Sequence, residues 1–211
     1  MLGGTFDPIH YGHLRPAAEA RAALGLSEIR LIPAARPPHR DEPAAPAGER
    51  FAMARLAAAE TPGFTVDDRE LRRAGLSYTV LTLEELRRAM GANIPLCLLI
   101  GADALAGFTT WHRWREIPSL AHLVVLRRPD SDVSADPATW PAWARPRAAR
   151  VANDLTASPA GRVIFVEVSP QDISATAVRQ RVARGESIAG LVPPAVEHHI
   201  LQHRLYRSET H

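Results

Sequence analysis

The run Gly3-Gly4-Thr5-Phe6-Asp7-Pro8-Ile9-His10-Tyr11-Gly12-His13 constrains this chain more than any other part of it. Two glycines after a short apolar start let backbone amides approach a bulky anion closely, and His10 and His13, three residues apart, fall on one face of the helix that begins there. The combination reads as a phosphate cradle at a strand-to-helix turn. The alternative is a turn that merely carries histidines, and the number of constrained positions weighs against it.

Behind the cradle, apolar spacing predicts a helix over about 13–24 ended by Gly25, and a buried strand over 29–32. A proline-rich loop over 33–46 holds Pro37, Pro38, His39 and Arg40, and an amphipathic helix follows over about 48–60. The alternation continues with a strand at 64–67, a helix at 79–90 with Ser77 as its cap, and strands at 95–101, 122–127 and 163–168. Ser174 caps a helix running to about Ala183, and a last helix spans about 194–202. Strands alternating with helices imply an α/β fold: a Rossmann-like, doubly wound, mostly parallel sheet with helices on both faces and ligands at the carboxyl edge of its strands. The glycine pair, the 37–40 loop, Gly101 with Asp103, Arg127 with Arg128, and Ser174 with Thr176 all follow strands, so they are expected to converge on one crevice.

At 211 residues and 46% hydrophobic, the chain is expected to form one domain over 1–211, elaborated by a surface insertion at about 129–161. That insertion is rich in Pro, Ala, Asp and Ser, with one helix expected near 143–153. All 25 basic residues of the Lys-plus-Arg count are arginine, yet the formal charge is only +2. Such a balance suits small anionic ligands and not a nucleic-acid coat. No apolar run is long enough for a bilayer, and a cytoplasmic protein without a membrane partner is expected. The single cysteine, Cys97, excludes an internal disulfide and reads as a buried strand thiol. His198, His199 and His203 have no evident acidic or cysteine companion, so they read as a polar helix face and no metal site is expected there.

Near the carboxyl end, Ile173-Ser174-Ala175-Thr176-Ala177-Val178-Arg179 places two hydroxyls at a helix start and a guanidinium one turn on. This suits a polyphosphate; taken alone, it reads equally as an ordinary cap with a solvated arginine. Together with the opening run, and with Pro37-Pro38-His39-Arg40, Ser77-Tyr78-Thr79, Gly101-Ala102-Asp103, 108–112 and Arg127-Arg128-Pro129, the chain resembles the bacterial nicotinate-nucleotide adenylyltransferases of the HxGH nucleotidyltransferase superfamily nearly end to end. The first and last motifs belong to the whole superfamily, the middle ones to its pyridine-nucleotide members.

The resemblance implies transfer of AMP from ATP to nicotinate mononucleotide, with Mg²⁺ on the phosphates and no covalent intermediate. It implies that His10, His13 and Arg179 act in catalysis. ATP would be bound by Gly3, Gly4, Thr5, Phe6, His10, His13, Asp103, Arg128, Ser174, Thr176 and Arg179. It assigns Thr79 and Trp111 to the nicotinate ring, and His39 and Arg40 to closure over the phosphates. His112 stands where some members carry tyrosine. Read without the resemblance, Trp111, Trp114 and Phe108 at near-helical spacing are core packing, Asp103 is a helix cap, and the 39–40 loop is solvated. Such enzymes carry several apolar residues before the first glycine; with only Met1 and Leu2 there, the first strand is expected to be too short to pair its neighbours, as though the natural start lay upstream. The rivals are phosphopantetheine adenylyltransferase, which lacks the 77–79 and 108–112 signatures, a nicotinamide mononucleotide enzyme, and a nucleotide-binding regulator without turnover. A pure binder has no need of two donors aimed at a transferred phosphoryl group. A homo-oligomer is left open.

Overall fold

In a computed structural model, describing residues 1–38, 42–129, 131 and 133–207, the alternating pattern becomes six strands and eight α-helices. In chain order these are β1 (Leu2–Gly4), α1 (Tyr11–Leu24), β2 (Ile29–Pro33), α2 (Ala47–Ala59), β3 (Phe64–Val66), α3 (Arg69–Arg72) and α4 (Thr79–Met90). They continue with β4 (Cys97–Gly101), α5 (Ala102–Ala106), α6 (Ile117–Leu120), β5 (His122–Arg127), β6 (Val163–Glu167), α7 (Ala175–Ala183) and α8 (Pro194–Gln202). The strands form two three-stranded sheets, ordered β1-β2-β3 and β4-β5-β6. The chain divides into two compact units. One comprises Met1–Leu2, Ala17–Ser27 and Tyr78–Pro170; the other comprises Gly3–Pro16, Glu28–Ser77 and Gln171–His211.

In the first unit β4, β5 and β6 run parallel, with Leu99 opposite Val124 and Val124 opposite Ile164. Their near-continuous apolar runs suit strands covered on both faces, and Leu98, Leu99, Leu123, Val124 and Val125 are all buried. Cys97 is buried at the start of β4, and burial pushes its thiol pKa up, as an inert strand cysteine requires. The Leu99 N–H donates to the Met1 carbonyl at 2.9 Å, so even the first residue is paired. Arg87 of α4 donates to the Leu120 carbonyl at 2.6 Å and to the carbonyls of Ile94 and Pro159. The inserted segment holds no α-helix among its described residues. Where a helix was expected near 143–153 there are 3-10 turns at Arg145–Arg147 and Ala152–Leu155, after another at Pro137–Thr139. Prolines at 137, 141 and 146 break the helical hydrogen-bond ladder, and the segment is anchored instead by Trp140 stacked on Phe165 of β6 at 4.6 Å.

In the second unit β2 and β3 are parallel, with Leu31 opposite Val66, and the Gly4 carbonyl accepts the Ala34 N–H at 2.8 Å. The first strand therefore includes the glycines rather than stopping before them. The alanine-rich face of α2, with Met53, Ala54 and Ala57 buried, packs on β2, β3 and α8. Ser77 does not cap α4. Its Oγ accepts the N–H groups of Ala35 and Arg36, at 3.0 and 3.2 Å, and so fixes the loop after β2, while α4 starts after Tyr78 with no side-chain cap.

Candidate active site

The second unit contains a cavity of about 1070 Å³. Gly3, Gly4, Thr5 and Phe6 line it from β1 and the turn after it, and His10, Gly12 and His13 from the start of α1. Ile173, Ser174, Thr176 and Arg179 line it from the start of α7. Residues from opposite ends of the polypeptide therefore share one space. Two helix N-termini border it with their positive dipole ends, an arrangement that favours an anion.

The turn out of β1 is tightly built. Phe6 is buried at φ +50°, a left-handed conformation rare for a bulky residue. Its ring lies where a side chain on Gly4 would stand, 2.9 Å from the position of that missing Cβ. Gly12 is tighter still: a Cβ there would lie 2.8 Å from both the Ile173 carbonyl oxygen and His10 Nδ1, so α1 and the segment before α7 meet only because residue 12 has no side chain.

The two histidines are packed ring against ring, with centroids 3.8 Å apart, and Phe6 meets His13 edge-on. The His10 N–H donates to His13 Nδ1 at 3.3 Å, which leaves Nε2 to carry the donor proton of the His13 ring. His10 is 5% exposed, and burial pushes its pKa down to about 4, so the ring is neutral at pH 7. Its Nδ1 is buried with no hydrogen-bond partner among the described residues.

Asp7 organises the surroundings. One carboxylate oxygen accepts the Ala44 N–H at 2.8 Å; the other accepts the Ala45 N–H at 3.1 Å and the Tyr206 hydroxyl at 2.8 Å. Burial, and then the adjacent carboxylate, push the Tyr206 phenol far above its ordinary pKa. Arg179 Nη1 donates to the Asp7 carbonyl at 2.7 Å and lies 3.9 Å from its carboxylate, so the guanidinium is aimed from α7 at the cradle. Arg50 of α2, only 1% exposed, donates to the carbonyls of Thr5 (2.7 Å), Ala34 (2.6 Å), Ala45 (3.1 Å) and Ala35 (3.2 Å). Burial lowers its pKa, and the Asp7 charge opposes that shift. Sequence reasoning missed Arg50 and Tyr206. The only local signal was an arginine on the alanine-rich, core-facing side of an amphipathic helix.

Thr79, Asp103, Trp111, His112 and Arg128 lie in the first unit. Thr79 opens α4, whose first amides have no intrahelical acceptor. His112 is exposed and stacks on Tyr78 at 4.2 Å. Trp111 is half-buried beside the buried Phe108, 5.3 Å between centroids, and Phe108 in turn stacks on Trp143. Asp103 is exposed in the first turn of α5 and makes no cap bond; Arg128 is exposed just after β5. His39 and Arg40 lie outside the described residues. The expectation that His199 and His203 have no acidic companion fails: Glu49 of α2 meets them, with Oε2 2.6 Å from His199 Nε2.

A parallel β-α framework carrying a glycine turn, paired histidines and a second helix start around one anion-suited cavity defines the nucleotidyltransferase class. The chain belongs to the cytidylyltransferase-like family, whose profile matches residues 1–181, and within it groups with the bacterial nicotinate-nucleotide adenylyltransferases. It is 49% identical over 210 residues to a protein of Pseudomonas syringae pv. tomato described as a probable nicotinate-nucleotide adenylyltransferase, covering 99% of this chain and 93% of that one. A relative of the same description from Aeromonas hydrophila is 49% identical over 209 residues, covering 98% and 96%. Among solved structures, the fold resembles Plasmodium falciparum nicotinic acid mononucleotide adenylyltransferase complexed with APC, with a TM-score of 0.69 at 13% identity, covering 97% of this chain and 94% of that one. The same enzyme complexed with NaAD gives 0.68.

Proposed function

We propose that this protein transfers AMP from ATP to nicotinate mononucleotide, forming deamido-NAD and pyrophosphate in the cytoplasm. The observation that carries the reading is the cavity shared by His10, His13, Ser174, Thr176 and Arg179, in a chain about half identical to proteins described as probable nicotinate-nucleotide adenylyltransferases. An acceptor phosphate oxygen attacks the α-phosphorus of ATP as the bond to the β-phosphate oxygen breaks, and pyrophosphate departs. The nucleophile is already an anion, so no general base is required; the difficulty is to hold two repelling phosphates in line.

In this reading the backbone of Gly3 and Gly4 and the positive end of α1 receive the triphosphate. His10 and His13 donate to the transferred group as charge builds on it, and Ser174, Thr176 and Arg179 hold the leaving pyrophosphate. With its pKa near 4, His10 acts as a neutral N–H donor, and the guanidinium of Arg179 supplies full positive charge. Mg²⁺ fits this site as a companion of the nucleotide. It would enter with the nucleotide and not on the Asp7 carboxylate, which is committed to two amides and a phenol. When bound, the ion neutralises phosphate charge. On the acceptor side, the resemblance assigns the nicotinate carboxylate to the first amides of α4 at Thr79 and the ring to the Trp111 indole, with His112 beside them, and it assigns Asp103 and Arg128 to the nucleotide.

Pyrophosphate release from ATP, measured with nicotinate mononucleotide beside the nicotinamide form and phosphopantetheine, tests the reading. Release with the first acceptor well above the other two is expected. Release with none of them, across Mg²⁺, Mn²⁺ and Co²⁺, would leave the regulator as the better account.

A further inference from the structure

Away from the cavity, the second unit brings together a set of side chains that the transfer reaction does not use. Glu49 stands in the first turn of α2, His199 in the last turn of α8, and His203 one turn further on, just past the end of that helix. The four-residue spacing puts both imidazoles on one side of α8, and their rings stack at 4.1 Å. Both turn a nitrogen toward the same carboxylate: His199 Nε2 lies 2.6 Å from Glu49 Oε2, and His203 Nδ1 lies 3.6 Å from Glu49 Oε1. One ligand atom from each residue falls within 4.8 Å of the others.

We propose that Glu49, His199 and His203 form a binding site for a borderline transition-metal dication, Zn²⁺ being the type case. Two imidazoles and a carboxylate are a zinc donor set with one position left for water. Bonds of about 2.0–2.2 Å to such an ion fit within the spacing already present, with movement confined to side chains. His199 is 13% exposed and His203 41%, so the inner ligand is fixed by packing and the outer one gives the ion its entry path. The nitrogen donors select against Mg²⁺, which prefers oxygen ligands, and so distinguish this ion from the one that accompanies the nucleotide. A bound ion would tie α2 to α8. The residue after Glu49 is Arg50, which holds the cradle carbonyls, and three residues beyond His203 lies Tyr206, which donates to Asp7. The staple therefore lies behind the anion cavity and stiffens its support.

The test uses the full-length protein stripped with EDTA. Addition of Co²⁺ is expected to give visible d–d absorption saturating at one equivalent, and Zn²⁺ to displace Co²⁺ and raise the melting temperature where Mg²⁺ does neither. His203→Gln, at an exposed position, should melt like the parent without metal yet bind Zn²⁺ at least about tenfold more weakly. A His10→Ala/His13→Ala variant should keep the binding. Parental Zn²⁺ affinity in His203→Gln, loss of binding in the His10/His13 variant, or no saturable Co²⁺ spectrum in the parent would each overturn the proposal.

Discussion

Gly12 is the sharpest point at which the cavity is tested by one methyl group. In Gly12→Ala the new Cβ would stand 2.8 Å from the Ile173 carbonyl oxygen and 2.8 Å from His10 Nδ1, whereas ordinary contact begins near 3.4 Å. One neighbour is backbone and the other a packed ring, so neither gives way without moving an element, and overpacking of this kind costs about 1–3 kcal/mol. Replacing glycine within a helix returns about 0.5–1 kcal/mol, leaving a net loss of up to about 2.5 kcal/mol. For a chain of this size that lowers the melting temperature by up to about 10 °C. The activity loss is expected to be larger than the stability loss. Shifting the His10 ring by a fraction of an ångström, or parting α1 from α7, misaligns groups whose displacement by 1 Å costs about 10²-fold. Gly48→Ala is the control: Gly48 sits in the first turn of α2 with nothing within 4 Å of its missing Cβ, so this variant should melt at or above the parent with unchanged kcat/KM. Scanning fluorimetry and steady-state pyrophosphate release on both variants decide the matter. A Gly12→Ala protein as stable and as active as Gly48→Ala would refute the close approach of α1 to α7.

Arg50→Met keeps the length of a buried side chain but removes donors to four carbonyls; with buried acceptors costing about 1–3 kcal/mol each when unpaired, urea unfolding should show a loss of at least about 3 kcal/mol, and a loss below about 1 kcal/mol would count against the clamp. His122, fully buried in β5, accepts the Arg162 N–H on Nδ1 at 3.0 Å and donates from Nε2 to the Ser158 carbonyl at 2.9 Å, and burial lowers its pKa. The unfolded chain therefore takes up this proton first: stability is full above about pH 6.5 and falls as the pH drops through that value, and His122→Gln should flatten the slope of unfolding free energy against pH. His10 adds to the same loss over the interval down to about 4, a shift equivalent to about 3 kcal/mol. Its NMR titration should show a midpoint near 4 in the free protein and a higher one with a non-hydrolysable ATP analogue, because phosphate charge favours the protonated ring; an unmoved midpoint would argue that the triphosphate does not lie beside it.

What could be read from the sequence and what could not divide along a physical line. The residues that line the cavity were legible because their signals are local: a glycine pair, two histidines at helical spacing, and a serine that does cap α7 by accepting the Ala177 N–H. Periodicity located most of the helices and strands within a few residues, since burial of one face repeats with the period of the element. It misplaced a helix at 143–153, where prolines and aromatic stacking override the apolar count, and it made Ser77 a cap when its hydroxyl serves two loop amides. The contacts it missed act across distances the sequence does not display: Tyr206 on Asp7, Glu49 on His199, Arg50 on carbonyls of the turn after β1 and the loop after β2.

Those long-range bonds share one task. The candidate site is made of chain-end segments and loops, where backbone polar groups lack ladder partners. Arg50 supplies donors to the turn after β1 and the loop after β2, and Asp7 supplies acceptors to amides of that same loop and to the tail. With the loops held by buried groups of opposite charge, the side chains facing the cavity are left for the ligand: His10 stays neutral because it is buried, and the Arg179 guanidinium is aimed by the Asp7 carbonyl. Preorganisation of this kind is what electrostatic stabilisation of a transferred phosphoryl group requires, since donors already in place do not have to be ordered as charge develops. The residues easiest to recognise in the sequence are those that would touch the nucleotide, and the residues that make them effective are found only once the chain is folded.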